Sequence, residues 1–118
     1  MNSIDACLDG IAKVNERILA EPESERRKHI RERTVSVTVP DLATVFDMRL
    51  TIEGLTDITH RSQTAPAPRP RVHVTVTVTS DDLVDLAGGR LDPARALLTR
   101  RVKVDASMGD LLRLRKLL

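Results

Sequence analysis

The sequence has almost no aromatic residues and one cysteine. Among its 118 residues Phe46 is the only phenylalanine, and tryptophan and tyrosine are absent, so a folded core must be aliphatic. Cys7 alone excludes an intramolecular disulfide bond and indicates a reducing compartment. No uncharged apolar run approaches the roughly 20 residues that span a bilayer, and the first residues lack the pattern of a signal peptide. We therefore expect one cytoplasmic domain, residues 1–118.

Residue patterns typical of catalysis or metal binding are also missing. The histidines His29, His60 and His73 lie far apart, and none has a second ligand at metal-binding spacing. No glycine-rich phosphate loop follows a strand, and no nucleophile elbow is present. The acidic pair Asp81-Asp82 is explained by helix capping. We expect no enzymatic activity, no metal and no cofactor.

The charges are numerous but nearly balanced. The net charge is +2, and residues 61–118 are more basic than residues 1–60. A basic C-terminal half either favours phosphate-bearing ligands and anionic membranes or is ordinary surface charge. The stretch 21–33 holds five Lys/Arg and four Glu without an aromatic residue for base stacking, so it predicts a solvated linker helix and no nucleic-acid partner.

The first two thirds of the chain predict one amphipathic helix followed by a sheet. Within residues 1–20, one apolar face at helical spacing comprises Ile4, Cys7, Leu8, Ile11, Val14 and Ile18. Residues 34–79 are the predicted sheet region, and its strand segments alternate between apolar and polar, which is typical of half-buried strands. Phe46, Met48, Leu50 and Ile52 face one way, and Val45, Asp47, Arg49 and Thr51 face the other. Glu53-Gly54 is the predicted hairpin turn, and a bulge or longer loop is expected in the next strand.

The sheet region continues through a loop into a fourth strand. Residues 61–71 form a proline-rich stretch without periodicity, which predicts an exposed loop. Val72 to Thr79 then alternates regularly, with its valines facing inward. Threonine and serine on the second face of the strands indicate a sheet that is wet on that side. The fold class is α+β: a two-layer domain whose five-stranded, antiparallel-dominated sheet has one face covered by about five helices.

Residues 80–118 predict a helix-helix-strand-helix succession. Ser80 is the expected cap of the first helix, which Gly88-Gly89 ends, and Asp92-Pro93 begins the second. Val102-Lys103-Val104 predicts a short strand. Ser107 and Asp110 predict a capping box for the last helix, whose apolar side chains span about 220° of its circumference. These side chains are Met108, Leu111, Leu112, Leu114, Leu117 and Leu118.

This last segment resembles the sterol carrier protein type 2 family, in particular its small stand-alone bacterial members. The matching residues are Ser80-Asp81-Asp82-Leu83, Gly89-Arg90-Leu91-Asp92-Pro93, Arg95-Ala96, Val102-Lys103-Val104 and Met108-Gly109. Ala106 and Asp110 depart from the family's usual glycine and its usual small or apolar residue. The resemblance implies an apolar cavity between sheet and helices that shelters a sterol-like lipid, a fatty acid or a fatty acyl thioester, without catalysis.

Two functional interpretations follow. In the first, an apolar lipid occupies a cavity lined by Phe46, Met48, Leu50, Val76, Leu83, Leu86, Leu97, Met108, Leu111 and Leu112. Arg115 then either packs its stem on the last helix or binds the ligand's acidic headgroup. In the second, the core is filled and the domain is an accessory interaction or dimerisation module. The expected partners are a small apolar lipid and at most a transient membrane contact, with the protein a monomer or a homodimer.

Overall fold

The computed structural model describes residues 2–66 and 72–117, except for the side chains of residues 114, 116 and 117. The helices are α1 (Ile4–Ala20), α2 (Glu23–His29), α3 (Ser80–Ala87), α4 (Pro93–Leu98) and α5 (Met108–Leu117). The strands are β1 (Arg33–Val39), β2 (Thr44–Thr51), β3 (Gly54–Ser62), β4 (Val74–Val78) and β5 (Val102–Asp105). A 3-10 turn, Pro40–Leu42, joins β1 to β2. Of the predicted proline-rich loop, residues 61–62 belong to β3 and residues 67–71 lie outside the described residues.

The five strands form one mixed sheet in the order β3-β2-β1-β4-β5. β1 and β4 pair in parallel, with Val35 opposite Val74, and the other three pairs are antiparallel. The predicted α+β fold with a mostly antiparallel sheet is thereby confirmed.

The core lies between one face of the sheet and the helices. Alternation turns Val35, Val37 and Val39 of β1 to this face, together with Phe46, Met48 and Leu50 of β2. The α1 side chains Cys7, Ile11 and Ile18 and the α3 side chain Leu83 pack in the same cluster. Gly10 lets α1 approach α3 closely, because a Cβ atom there would lie 3.3 Å from the Cβ of Ala87. The apolar face predicted for α1 is confirmed.

The hairpin between β2 and β3 turns one residue earlier than predicted. Thr51 pairs with Gly54, so Ile52 and Glu53 form the turn and Ile52 is not an inward strand residue. Gly54 has φ +92°, and a Cβ atom there would lie 2.2 Å from Asn15 Oδ1. That oxygen accepts a hydrogen bond from the Leu55 backbone N–H at 2.8 Å. Glycine therefore suits both the backbone angle and the close approach of α1.

The irregularity expected in the third strand is present as a β-bulge. Between the pairs Arg49–Thr56 and Asp47–Thr59 the register shifts, so that two β3 residues stand against one of β2. Asp57, one of the two, has φ +54°. The bulge restores the register that the two-residue turn would otherwise put out of phase.

The second face of the sheet is less exposed to solvent than predicted. Val45 and Ser36 both belong to this face, yet they are only 4% and 3% exposed. Val45 stands opposite Arg61 of β3, whose long stem is available to cover it. Arg61 Nε donates to Asp47 at 2.8 Å, and Ser36 Oγ donates to the same carboxylate at 2.6 Å. The expectation of a wet face is therefore wrong at this central position.

Lysine substitutions on this face test how much of it is open to solvent. Thr75 and Thr77 of β4 are half-buried. Thr75→Lys would place a cation opposite Asp105, whereas Thr77→Lys would place one opposite Lys103. We expect Thr75→Lys to change the free energy of unfolding by less than about 0.5 kcal/mol. Thr77→Lys should lower the free energy of unfolding by several tenths of a kcal/mol more than Thr75→Lys, because like charges face each other across the strands. Urea titrations measure both, and a severe loss in both would mean that this face is covered.

The C-terminal segment follows the predicted order with one changed cap. Asp92 accepts from the Arg95 backbone N–H and Pro93 opens α4, as predicted. The cap of α3 is Thr79, whose hydroxyl accepts from Asp82 N, and Ser80 is the first helical residue. The prediction of Ser80 as the cap is wrong because its side chain is needed elsewhere, in contacts with Asn2 and Asp41. No described helix is long and apolar enough to cross a membrane.

Candidate functional site

Six of the ten apolar residues predicted to line a cavity lie together. Phe46, Met48, Leu50 and Leu83 are buried members of the core cluster. Val76 and Leu86 are half-buried and pack against it. These side chains come from β2, β4 and α3, and they form the apolar layer between the sheet and the helices. Phe46 has no exposed surface.

The other four residues are not brought into this cluster. Leu97, Met108 and Leu112 are 47%, 72% and 53% exposed, and Leu111 is half-buried. Leu97 of α4 and the three residues of α5 were expected in a cavity, but α4 contacts mainly β5 and α5 contacts mainly α2. Arg115 is exposed on α5. The predicted residues Leu114, Leu117 and Leu118 have side chains outside the described set.

A buried carboxylate fastens α5 to the sheet. Asp110 is 5% exposed and accepts from Arg33 Nε of β1 at 2.8 Å and from Arg113 at 2.7 Å. Ser107 Oγ accepts from the Asp110 backbone N–H at 3.2 Å, which is the first half of the predicted capping box. Burial alone would raise the pKa of Asp110, but the hydrogen bonds from Arg113, Arg33 and Ser107 outweigh it and lower this pKa to about 2.

A second polar network fastens the start of the chain. Ser80 is fully buried, and its hydroxyl donates to Asp41 and accepts from Asn2 N at 2.9 Å. Burial opposes ionisation of Asp41, yet the hydrogen bonds from the side chain and backbone of Ser80 hold the pKa of Asp41 below its usual range. Burial, followed by the charges of Asp41 and Asp81, raises the pKa of the Cys7 thiol. Cys7 is therefore a neutral core side chain.

A pocket of about 520 Å³ lies beside the α3–α4 connection. We call it the arginine pocket, and it is lined by Arg17, Leu86, Gly89, Arg90, Leu91, Asp92, Pro93, Arg95 and Arg101. Its four guanidinium groups come from α1, the α3–α4 connection, α4 and the turn before β5. Leu91 is a buried core residue, so the pocket reaches the edge of the core.

Sequence reasoning did not single out the arginine pocket. Arg90 and Arg95 lie in the Gly89–Ala96 stretch that carries the family resemblance, and Arg101 follows it closely. Arg17 is 73 residues away from Arg90 in the chain, on the polar face of α1. The basic character of the second half was the only sequence signal for this cluster.

The histidines take structural positions. Nδ1 of His73 lies 3.1 Å from the Thr34 backbone N, at the start of the β1–β4 pair. His29 lies 3.5 Å from Glu25, and His60 is exposed on β3 near the Phe46 ring. Within residues 2–66 and 72–117, no three potential metal-binding side chains converge.

Comparison with known proteins settles the family. A model of the SCP-2 sterol transfer family matches residues 11–118. The chain belongs to this family. Among solved structures, Sterol Carrier Protein 2 Like 2 from Aedes aegypti has a TM-score of 0.65 at 15% identity, and the match covers 98% of this chain and all of that one. The palmitated form of the same mosquito protein has a TM-score of 0.61 at 16% identity over 98% and 93% of the two chains. Both likenesses show the shared SCP-2 fold.

A longer enzyme also contains this fold. The stereoselective inverting sec-alkylsulfatase from a Pseudomonas species matches with 25% identity and a TM-score of 0.56. The match covers 82% of this SCP-2 chain but spans only 14% of the sulfatase. No curated protein matches the chain.

Proposed function

We propose that this SCP-2 domain binds and carries an apolar lipid between its sheet and its helices, without catalysis. Membership of the sterol transfer family over residues 11–118 is the observation that carries the proposal. The aliphatic layer around Met48, Leu50 and Leu83 supports it, since such a layer solvates a hydrocarbon chain well. Leu97, Met108 and Leu112 then belong to an outer apolar surface at which the lipid enters.

A fatty acid is the ligand class to test first. One solved relative is described as palmitated, and the same ligand class suits an aliphatic layer. Burying one methylene is worth ~0.8 kcal/mol, so about ten methylenes contribute ~8 kcal/mol before the costs of association. An affinity in the micromolar class is then reachable without any polar anchor.

Organic extraction of the purified protein, followed by mass spectrometry, tests lipid binding directly. We expect fatty acids or other apolar lipids near stoichiometric amounts, enriched over an extract of a control protein prepared in parallel. Titration of the delipidated protein with palmitic acid should then saturate. An empty extract together with no saturable uptake of palmitic acid or a sterol would contradict the proposal.

Arg115 is our candidate for the acidic headgroup. Under this role, Arg115→Ala should weaken palmitic acid binding by about ten-fold and leave its methyl ester almost unchanged, because only the acid presents a carboxylate. This loss of affinity is at the low end of the range for a charged hydrogen bond, because Arg115 is exposed and water screens its charge. Calorimetric titrations with both ligands measure the difference. Equal losses for acid and ester would remove the headgroup role and leave a packing role.

The second candidate function is an accessory module that docks or dimerises with a filled core. The observation in its favour is that the same fold forms 14% of a much longer sulfatase. Light scattering after size-exclusion chromatography distinguishes the two functions when combined with the lipid extract. A stable dimer with no extractable lipid would favour the module, and a lipid-loaded monomer would favour the carrier.

A further inference from the structure

The arginine pocket gathers more positive charge than its neighbours neutralise. Arg90 is paired with Asp85 at 3.0 Å, and Arg101 is paired with Asp82. Arg17 donates to the carbonyl oxygens of Leu86 and Ala87 at the end of α3, and it forms no ion pair with a carboxylate among the described residues. These contacts hold three of the four guanidinium groups in defined positions around the pocket.

Arg95 differs from the other three arginines of the pocket. Its guanidinium makes no hydrogen bond or ion pair with the described residues, although it lines the same pocket. The Asp92 carboxylate also lines the pocket, and it accepts from the Arg95 backbone N–H at the start of α4. The four arginines of the pocket therefore face three carboxylates, those of Asp82, Asp85 and Asp92, which leaves an excess of one positive charge. Arg17 and Arg95 are the two arginines without an ion-pair partner among the described residues.

The geometry points to a ligand with several anionic oxygens. We propose that the arginine pocket is a binding site for phosphate groups, with Arg95 and Arg17 as its main charged contacts and Arg90 and Arg101 beside them. Guanidinium forks bind phosphate oxygens in pairs, and several arginines can share one phosphate group. A volume of about 520 Å³ is larger than one carboxylate needs and accommodates a diphosphate or a phospholipid headgroup. The proposal is independent of lipid binding in the core.

The glycines of the α3–α4 connection leave space for a ligand in the arginine pocket. Gly89 lines the pocket with φ +77°, and a Cβ atom placed on it would meet nothing within 4 Å. Beside it, the Arg90 guanidinium lies over Gly88, where a Cβ atom would come within 2.7 Å of Nη1. Gly88 thus makes room for the Arg90 guanidinium, while the space next to Gly89 stays free for a ligand.

Titration with inorganic pyrophosphate at low ionic strength, followed by ¹⁵N NMR, tests the site. We expect saturable shifts of the amides around Gly89 to Leu91, with phosphate weaker than pyrophosphate and acetate at equal ionic strength without effect. Arg95→Gln should weaken pyrophosphate binding by about ten-fold. The matched control Arg27→Gln removes the same charge from an exposed arginine of α2 and should change the affinity by less than about two-fold. Melting curves of both variants confirm that they are folded.

Vesicle sedimentation distinguishes the source of the phosphate. If the ligand is a lipid headgroup, the protein binds phosphatidylglycerol vesicles and not phosphatidylcholine vesicles, and Arg95→Gln loses this binding while Arg27→Gln keeps it. If the ligand is soluble, pyrophosphate binds as above and neither vesicle does. Either result supports the site. Absence of binding in both experiments, or equal losses in Arg95→Gln and Arg27→Gln, would overturn it.

Discussion

Replacing Phe46 by alanine is expected to reduce the free energy of unfolding by about 3–5 kcal/mol. The side chain is fully buried on the core face of β2, where Phe46 pairs with Val37 of β1. Deleting the ring removes its transfer free energy and leaves a cavity that β2, an interior strand paired on both sides, cannot close. Urea denaturation monitored by circular dichroism measures the loss, with an unchanged m-value as the sign of a two-state change.

Ile58→Ala provides the comparison on the neighbouring strand. Ile58 is 37% exposed in the bulge of β3, so its truncation should cost well under half as much as that of Phe46. A small loss for Phe46→Ala would mean that the ring borders open space. Saturating palmitic acid adds a further measurement. If the lipid fills the space left by the ring, the loss for Phe46→Ala should shrink when the lipid is present.

The faces of the first two strands and of α1 could be predicted because local alternation determines them. In β1 and β2, inward valines, Phe46, Met48 and Leu50 follow from a period of two, and the α1 face follows from a period of 3.6. The cap at Asp92 could also be predicted, because its signal lies in adjacent residues. The cap at Thr79 could not be predicted, because Thr79 and Ser80 are chemically similar and only the distant Asp41 engages Ser80.

The parts of the site that sequence reasoning missed depend on contacts between distant segments. Apolar spacing on α4 and α5 shows which residues share a face, but it does not show whether that face has a partner. Leu97, Met108 and Leu112 consequently lie at the surface although they were expected in a cavity. The arginine pocket likewise joins Arg17 of α1 to residues about 70 to 85 positions later. Neither tertiary arrangement leaves a periodic pattern in the chain.

Asp110 is a buried carboxylate, and its contacts explain how its charge is accommodated there. Arg33 and Arg113 supply the opposing charges, and both are partly shielded from water, with side chains 20% and 32% exposed. These ion pairs join α5 to β1 and to its own next turn. The stability of α5, which carries Arg115, then depends on a charge.

Asp110→Asn is expected to lower the free energy of unfolding by about 2 kcal/mol at pH 7. The substitution leaves Arg33 and Arg113 without their carboxylate while preserving size and much of the hydrogen bonding. A pKa lowered from 3.8 to about 2 corresponds to ~2.4 kcal/mol, and solvent screening of the partly exposed arginines reduces that figure somewhat. Urea titrations of both proteins measure the difference, and hydrogen exchange of residues 108–117 should be faster in the variant.

The pH dependence identifies the carboxylate as the cause. Because the folded-state pKa of Asp110 is lowered, its contribution is fully present above the unfolded pKa near 4 and is lost as the pH falls through about 2. The stability difference between the wild type and Asp110→Asn should therefore shrink between pH 4 and pH 2. Asp41, whose pKa is also lowered, should leave both proteins with a remaining loss of stability in acid.

As a control, Asp9→Asn changes an exposed α1 carboxylate and should cost less than about 0.5 kcal/mol. A difference between wild type and Asp110→Asn that stays constant down to pH 2 would show that packing, not charge, holds α5 in place.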